Sequence, residues 1–201
     1  DEEFQKQMEA KRAKPFEAEP RDTYEYYLKL LTEQTRWRDS VPHVIKDKDR
    51  PWENTRFGRL KYFVSPAFPG GLLLYDCFVQ DIPPGSRSGQ HRHVSEEVHF
   101  ILEGKGQVRL GEERAYVEQG DYIAFPVGPA SAHSLKNTGT EPLRYLCFST
   151  TVPTEVVGYP DSKKIGAVGT GDWSKGMAGA WIKILAKEQA PMDYYEGEDA
   201  V

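Results

Sequence analysis

The sequence predicts an all-β body, a sandwich or barrel, with a helical arm before it and an irregular extension after it. Three observations lead there. Runs rich in β-branched, aromatic and aliphatic residues recur every 8 to 12 residues between about positions 59 and 151. Gly and Pro punctuate the gaps, as at Pro83-Pro84-Gly85, Gly104, Gly111, Gly120 and 126–129. The clear helical periodicity lies before this body, over the stretch 22–37, following a loosely docked helix that ends near Lys14-Pro15.

Residues 1–20 are polar, with Phe4, Met8 and Phe16 as scattered apolar anchors. Asp22 followed by Glu25 has the form of a capping box. Tyr24, Tyr27, Leu28 and Leu31 then recur at helical spacing, with Leu30 and Trp37 extending the stripe, so an amphipathic helix is expected over 22–37. The charged run 46–51 ends this arm, which with its connector occupies 1–50. The β body spans 51–154, with strands expected at 59–65, 71–80, 98–102, 106–110, 114–117, 122–125, 132–136 and 143–151. Over 155–201, Gly158, Gly166, Gly169, Gly171, Gly176 and Gly179 interrupt any period. An irregular extension is expected there, with a short strand or helix at 180–185 and an acidic tail at 193–199.

A chain of 201 residues suffices for one domain with a substantial core. A net charge of −5 and an isoelectric point near 5.6 argue against nucleic acid or an anionic membrane as partner. No apolar run approaches the roughly 18 residues of a membrane span. No secretory signal is visible, and Cys77 and Cys147 lie in apolar strand-like runs that suit reduced, buried thiols; a cytoplasmic protein is the expectation.

The stretch 85–104 (GSRSGQHRHVSEEVHFILEG) carries the chemistry. On an extended strand alternate side chains share a face, which puts His91, His93 and Glu97 together and Glu96 opposite. Two imidazoles and a carboxylate suit a divalent iron, manganese, nickel or zinc ion. A surface strand merely rich in His and Glu is the bland alternative, and the apolar residues that follow, Val98, Phe100, Ile101 and Leu102, oppose it. His99 shares the parity of Glu97, one pleat deeper. It is the candidate catalytic residue, as a general acid/base or a hydrogen-bond partner of the ligands, against the alternative of a hydrogen-bonded core histidine.

Gly85, His91, His93, Glu97 and Gly104 fill the spacing of the first motif of the cupin superfamily, and the segment 78–149 resembles that family. The resemblance implies a single jelly-roll β-barrel. A second motif is represented by Gly120, Pro126, Gly128, His133 and Asn137, with two more residues before the histidine than the family has. It implies His133 as fourth metal ligand and Asn137 as a turn residue. Cupins commonly pair, so a homodimer is expected.

Three histidines and one carboxylate leave about two positions open on an octahedral ion, whereas structural zinc is usually closed and tetrahedral. Similarity to ring-cleaving cupins implies an Fe(II)-dependent dioxygenase acting on a small oxygenated substrate, an aromatic diol or a diketone, with dioxygen as co-substrate. Two alternatives stay open: an oxygen-independent lyase, decarboxylase or isomerase, and a non-catalytic cupin that binds a small molecule.

Overall fold

A computed structural model of the chain describes residues 44–65, 75–128, 130–152, 154–170 and 180–190. The helix expected over 22–37, and the arm up to residue 43, lie outside them, as does the acidic tail. The described residues form thirteen strands and two short 3-10 turns. The strands are β1 (Glu53–Thr55), β2 (Gly58–Val64), β3 (Tyr75–Ile82), β4 (Arg92–His93), β5 (Glu97–Glu103), β6 (Lys105–Leu110) and β7 (Glu113–Glu118). They continue as β8 (Tyr122–Phe125), β9 (His133–Asn137), β10 (Leu143–Thr150), β11 (Thr154–Tyr159), β12 (Lys164–Thr170) and β13 (Ala180–Lys187).

Every run expected between 59 and 151 coincides with a strand to within a few residues wherever it is described, residues 71–74 lying outside the described residues, because alternation and turn residues are local signals. A six-stranded antiparallel sheet, β1-β2-β3-β10-β5-β8, faces a three-stranded sheet, β7-β6-β9. Between them lie Ile82, Ile101, Val108, Val117, Ile123, Phe125, Leu135, Leu143, Tyr145 and Cys147, a continuous buried cluster. This is a jelly-roll, but the sheets do not close into the barrel that was expected. Where the chain passes from Pro83 to His91 it meets β9 without forming a continuous ladder, through isolated bridges, Arg87 with Lys136 and His91 with His133, and scattered backbone hydrogen bonds. Gly85 N and Ser88 N donate to the Asn137 and Leu135 carbonyls, and Asn137 N donates to that of Ser86. Pro83 and Pro84 supply no N–H for a ladder, and Gly85 takes a positive φ of 76° to turn the chain. Gly104, also at positive φ (84°), lies where a Cβ would come within 2.6 Å of the Pro142 carbonyl oxygen.

Among the described residues, the extension beyond 154 is not irregular. Strands β11, β12 and β13 form an antiparallel meander that adds β4 as its last strand, in the order β13-β12-β11-β4. The glycines that hide this in the sequence sit inside strands at close approaches. A Cβ on Gly158 would lie 3.0 Å from Nε of Arg92, and one on Gly166 would lie 3.4 Å from a Leu185 methyl.

Candidate metal centre

His91 and His133 face each other as a two-way bridge, with N···O separations of 3.0 and 2.7 Å. The bridge fixes both backbones, and Gln90 reinforces it from the other side. Its Nε2 donates to the Ala132 carbonyl at 2.8 Å, and its Oε1 accepts from Ser134 Oγ at 2.7 Å. His93 follows in β4, held against Val157 of β11. The chain then bends at 94–96 before β5 begins at Glu97. Strand parity therefore does not run unbroken from His93 to Glu97. Their convergence depends on the bend, which Glu155 of β11 clamps by accepting from Val94 N (3.2 Å) and Ser95 Oγ (2.6 Å). Glu96, the last residue of the bend, is exposed.

Each imidazole is oriented by a backbone carbonyl two residues away in sequence: His91 Nδ1 to Gly89 (2.9 Å), His93 Nδ1 to Ser95 (2.8 Å), His133 Nδ1 to Ser131 (2.9 Å). A carbonyl only accepts, so each Nδ1 carries the proton and each Nε2 presents a bare lone pair. One nitrogen from each ring lies within 4.8 Å of the others, near the about 4 Å that two nitrogens on opposite sides of one ion span. Phe125 stacks on His133 at 4.0 Å and fixes its plane.

Glu97 enters this cluster with Oε2 at 3.4 Å from His93 Nε2 and Oε1 at 3.4 Å from His133 Nε2. Both of those nitrogens are buried and lack a hydrogen-bond partner. A carboxylate is acceptor-only, so lone pairs confront lone pairs across the cluster, an arrangement that a cation resolves. The residues present thus fit a divalent ion, which His91, His93, His133 and Glu97 could hold between them. Burial pushes the His91 pKa down to about 4, keeping that ring neutral. Burial raises the Glu97 carboxyl, but the His133, His93 and His99 imidazoles around it outweigh that and hold the group well below the usual carboxylate range.

His99 lies behind Glu97. Its Nε2 is 2.6 Å from Glu97 Oε1, and its ring packs 4.3 Å from Tyr145 and 4.7 Å from Phe125. Its Nδ1 is buried without a partner. Cys147, directly opposite His99 in the β5–β10 register, brings its thiol into a group with Glu97 and His99. Cys147 and Cys77 are both free thiols. Sequence reasoning placed neither Cys147 nor Asp76 near the site, because both follow from cross-strand register rather than local spacing. Arg92 lies over Gly158 at the contact with β11. A cavity of about 260 Å³ beside β4 is lined by His93, Arg92, Tyr159 and Lys164 among others.

A family model described as "Cupin domain" matches residues 78–149. An uncharacterized protein of Methanocaldococcus jannaschii is 42% identical over 69 residues, 34% of this chain and 54% of that protein. Auxin-binding protein 1 of Arabidopsis thaliana is 31% identical over 132 residues, 61% of this chain and 66% of its own length. An oxalate-binding protein of Thermotoga maritima is 35% identical over 66 residues, 32% of this chain and 53% of its own. The chain therefore spans only about half to two thirds of these relatives. Among solved structures, a putative sugar phosphate isomerase from Acidithiobacillus ferrooxidans superposes with a TM-score of 0.57 at 23% identity, covering 76% of this chain and 94% of that one; the likeness is one of fold. Motif, sheet topology and family match agree that residues 78–149 are a cupin domain.

Proposed function

We propose that the protein is a metal-dependent cupin enzyme acting on a small oxygenated molecule, with Fe(II) as its metal and a dioxygenase reaction as its chemistry. One observation carries the metal reading: three Nε2 lone pairs and an ionised carboxylate converge, two of those nitrogens being buried without a partner. A divalent ion held there supplies Lewis acidity and, as iron, one-electron chemistry toward dioxygen. The chain's own residues do the rest. The carbonyls of Gly89, Ser95 and Ser131 lock the tautomers, and Glu97 offsets part of the ionic charge while His99 holds it in place. Phe125 and Tyr145 keep water from the His99 side.

Elemental analysis of protein purified without oxygen tests this. Near-stoichiometric iron, with oxygen uptake on a catechol, hydroquinone or diketone, is the expected result. Zinc, manganese or nickel without oxygen uptake overturns the dioxygenase in favour of a lyase, decarboxylase or isomerase. A specific observation favours one second reading, a ligand-binding cupin: relatives at 31% and 35% identity are named auxin-binding and oxalate-binding proteins. Tight binding of a carboxylate by a metal-loaded protein that never turns it over decides for that reading.

A second copy of the chain is the proposed protein partner. The outer face of the six-stranded sheet exposes Phe100, Tyr122, Phe148 and Tyr75 at 39–64% of their area, suited to pairing. Light scattering that gives a monomer refutes it.

A further inference from the structure

We infer that Asp76 is a further ligand-recognition residue of the metal centre, its carboxyl group donating a hydrogen bond to an oxyanion of the small molecule held at the metal. The inference rests on the metal reading above.

The register places it. Asp76 of β3 pairs with Ser149 of β10, which pairs with Glu97 of β5. Residues directly opposite in antiparallel strands point to one face, so Asp76 and Glu97 look into the same side of the sheet. The next row on that face holds Tyr62, Phe78, Cys147 and His99, and this is the face that carries the metal ligand. Two strand spacings separate the Asp76 and Glu97 backbones by about 10 Å. That is too far for Asp76 to join the ligand set, and suited to a ligand of a few atoms whose one end sits by Glu97.

Burial supplies the second argument. Asp76 Oδ1 is buried and has no hydrogen-bond partner. Only four side-chain atoms are in that condition among the described residues, and the other three are His93 Nε2, His133 Nε2 and His99 Nδ1, all at the metal centre. Leaving a buried polar group unpaired costs about 1–3 kcal/mol, so such groups are kept where something external meets them. The groups whose charge Asp76 senses, or that sense its own, are Glu97 from β5, Tyr62 from β2, Cys77 beside it on β3 and Cys147 from β10. All can carry negative charge, and none of them is cationic. Desolvation first, with Glu97 adding to it and the Cys77 N–H opposing it, raises the Asp76 pKa to about 7. Below about pH 7 the group therefore carries a proton to give. An oxygen-rich anion chelated at the metal presents the acceptor that a neutral carboxyl group matches, and a small dicarboxylate is the simplest such molecule.

The test uses the full chain loaded with Co(II), whose visible bands report exchange of metal-bound ligands, titrated with oxalate and with malonate. Wild type is compared with Asp76→Asn, which keeps a donor, and with Asp76→Leu and Asp76→Ser, which cannot reach. All four proteins are expected to hold the same cobalt. Affinity for the better dicarboxylate should fall at least about tenfold, equivalent to about 1.4 kcal/mol, in the Leu and Ser variants and stay within about threefold in the Asn variant. Equal affinity in wild type and the Leu and Ser variants overturns the proposal and leaves the metal reading intact. Loss of cobalt in the variants also overturns it, by making Asp76 a part of the metal site itself. A wild type that holds cobalt but binds neither dicarboxylate overturns the anion recognition alone. One that holds no cobalt overturns the metal reading together with this inference.

Discussion

Replacing Asp76 with Asn should change how stability depends on pH, and the structure gives both sign and size. In the unfolded chain an aspartate titrates near 3.9. In the folded protein burial pushes Asp76 up to about 7. Between those values the native state holds a proton that the unfolded state has released, so stability falls as pH rises. The contribution is fully present below about pH 4 and lost by the time pH passes 7. A difference of about 3 units is worth about 4 kcal/mol, of which about 1.5 kcal/mol has gone by pH 5. Asn is isosteric with the neutral acid and does not titrate. The two proteins should therefore be of similar stability near pH 4, with the Asn variant gaining about 2.5 kcal/mol on wild type between pH 5 and pH 8.5. Urea unfolding of chelator-treated protein, followed by tryptophan fluorescence, measures the difference at each pH. Taking the difference removes groups common to both chains, including His91 and Glu97. A stability difference that does not change with pH, or one that favours wild type as pH rises, refutes the reasoning.

Adding a divalent ion at 100 times its dissociation constant should stabilise the protein by about 2.7 kcal/mol, roughly 5–11 °C in Tm. His91→Ala or His133→Ala should abolish that shift while keeping the far-UV signature of the sheets, and full metal occupancy in either variant overturns the ligand assignment. His99→Ala removes the 2.6 Å support of Glu97 and should weaken metal binding about 10- to 100-fold. Unchanged metal affinity and kinetics would make His99 a core residue. Asn137 is fully buried; its Nδ2 donates to the Ile82 and Glu141 carbonyls and its Oδ1 accepts from Gly139 N. Asn137→Ala should cost about 3 kcal/mol, read in urea, and a loss below about 1 kcal/mol contradicts that.

What the sequence revealed of this site, and what it hid, follows the range of the interactions. His91, His93 and Glu97 were legible because their spacing is short and a strand alternates its faces, although the bend at 94–96 had to deliver what unbroken parity was expected to. His133 was legible only through the resemblance to the second cupin motif. The strands of the body were legible because their apolar residues alternate and their turns carry Gly and Pro. Asp76 was not. It lies in the middle of an apolar run, 71–80, in which no alternation tells one face from the other. The meander β11–β12–β13 was hidden because glycines at Gly158, Gly166 and Gly169 lower strand propensity, while Arg92, which packs tightly over Gly158, is distant in sequence. The open gap between the sheets depends on ladder continuity, which no local pattern encodes.

One cross-strand row, then, carries two carboxyl groups in opposite conditions. Glu97 stands among three imidazoles and stays ionised. Asp76, two strands away on the same face, meets Tyr62, two thiols and Glu97 itself, and no cation among the groups it senses. Identical chemistry is thereby divided into an acceptor that suits a cation and a donor that suits an anion, by neighbours alone. The same division explains why the C-terminal meander matters to a site to which it adds no ligand. Glu155 of β11 spends both carboxylate oxygens on Val94 and Ser95, and so fixes the bend that aims Glu97 at the histidines. Glu155→Ala should therefore weaken metal binding without touching a ligand, whereas a meander that merely covers the body predicts no change in metal affinity.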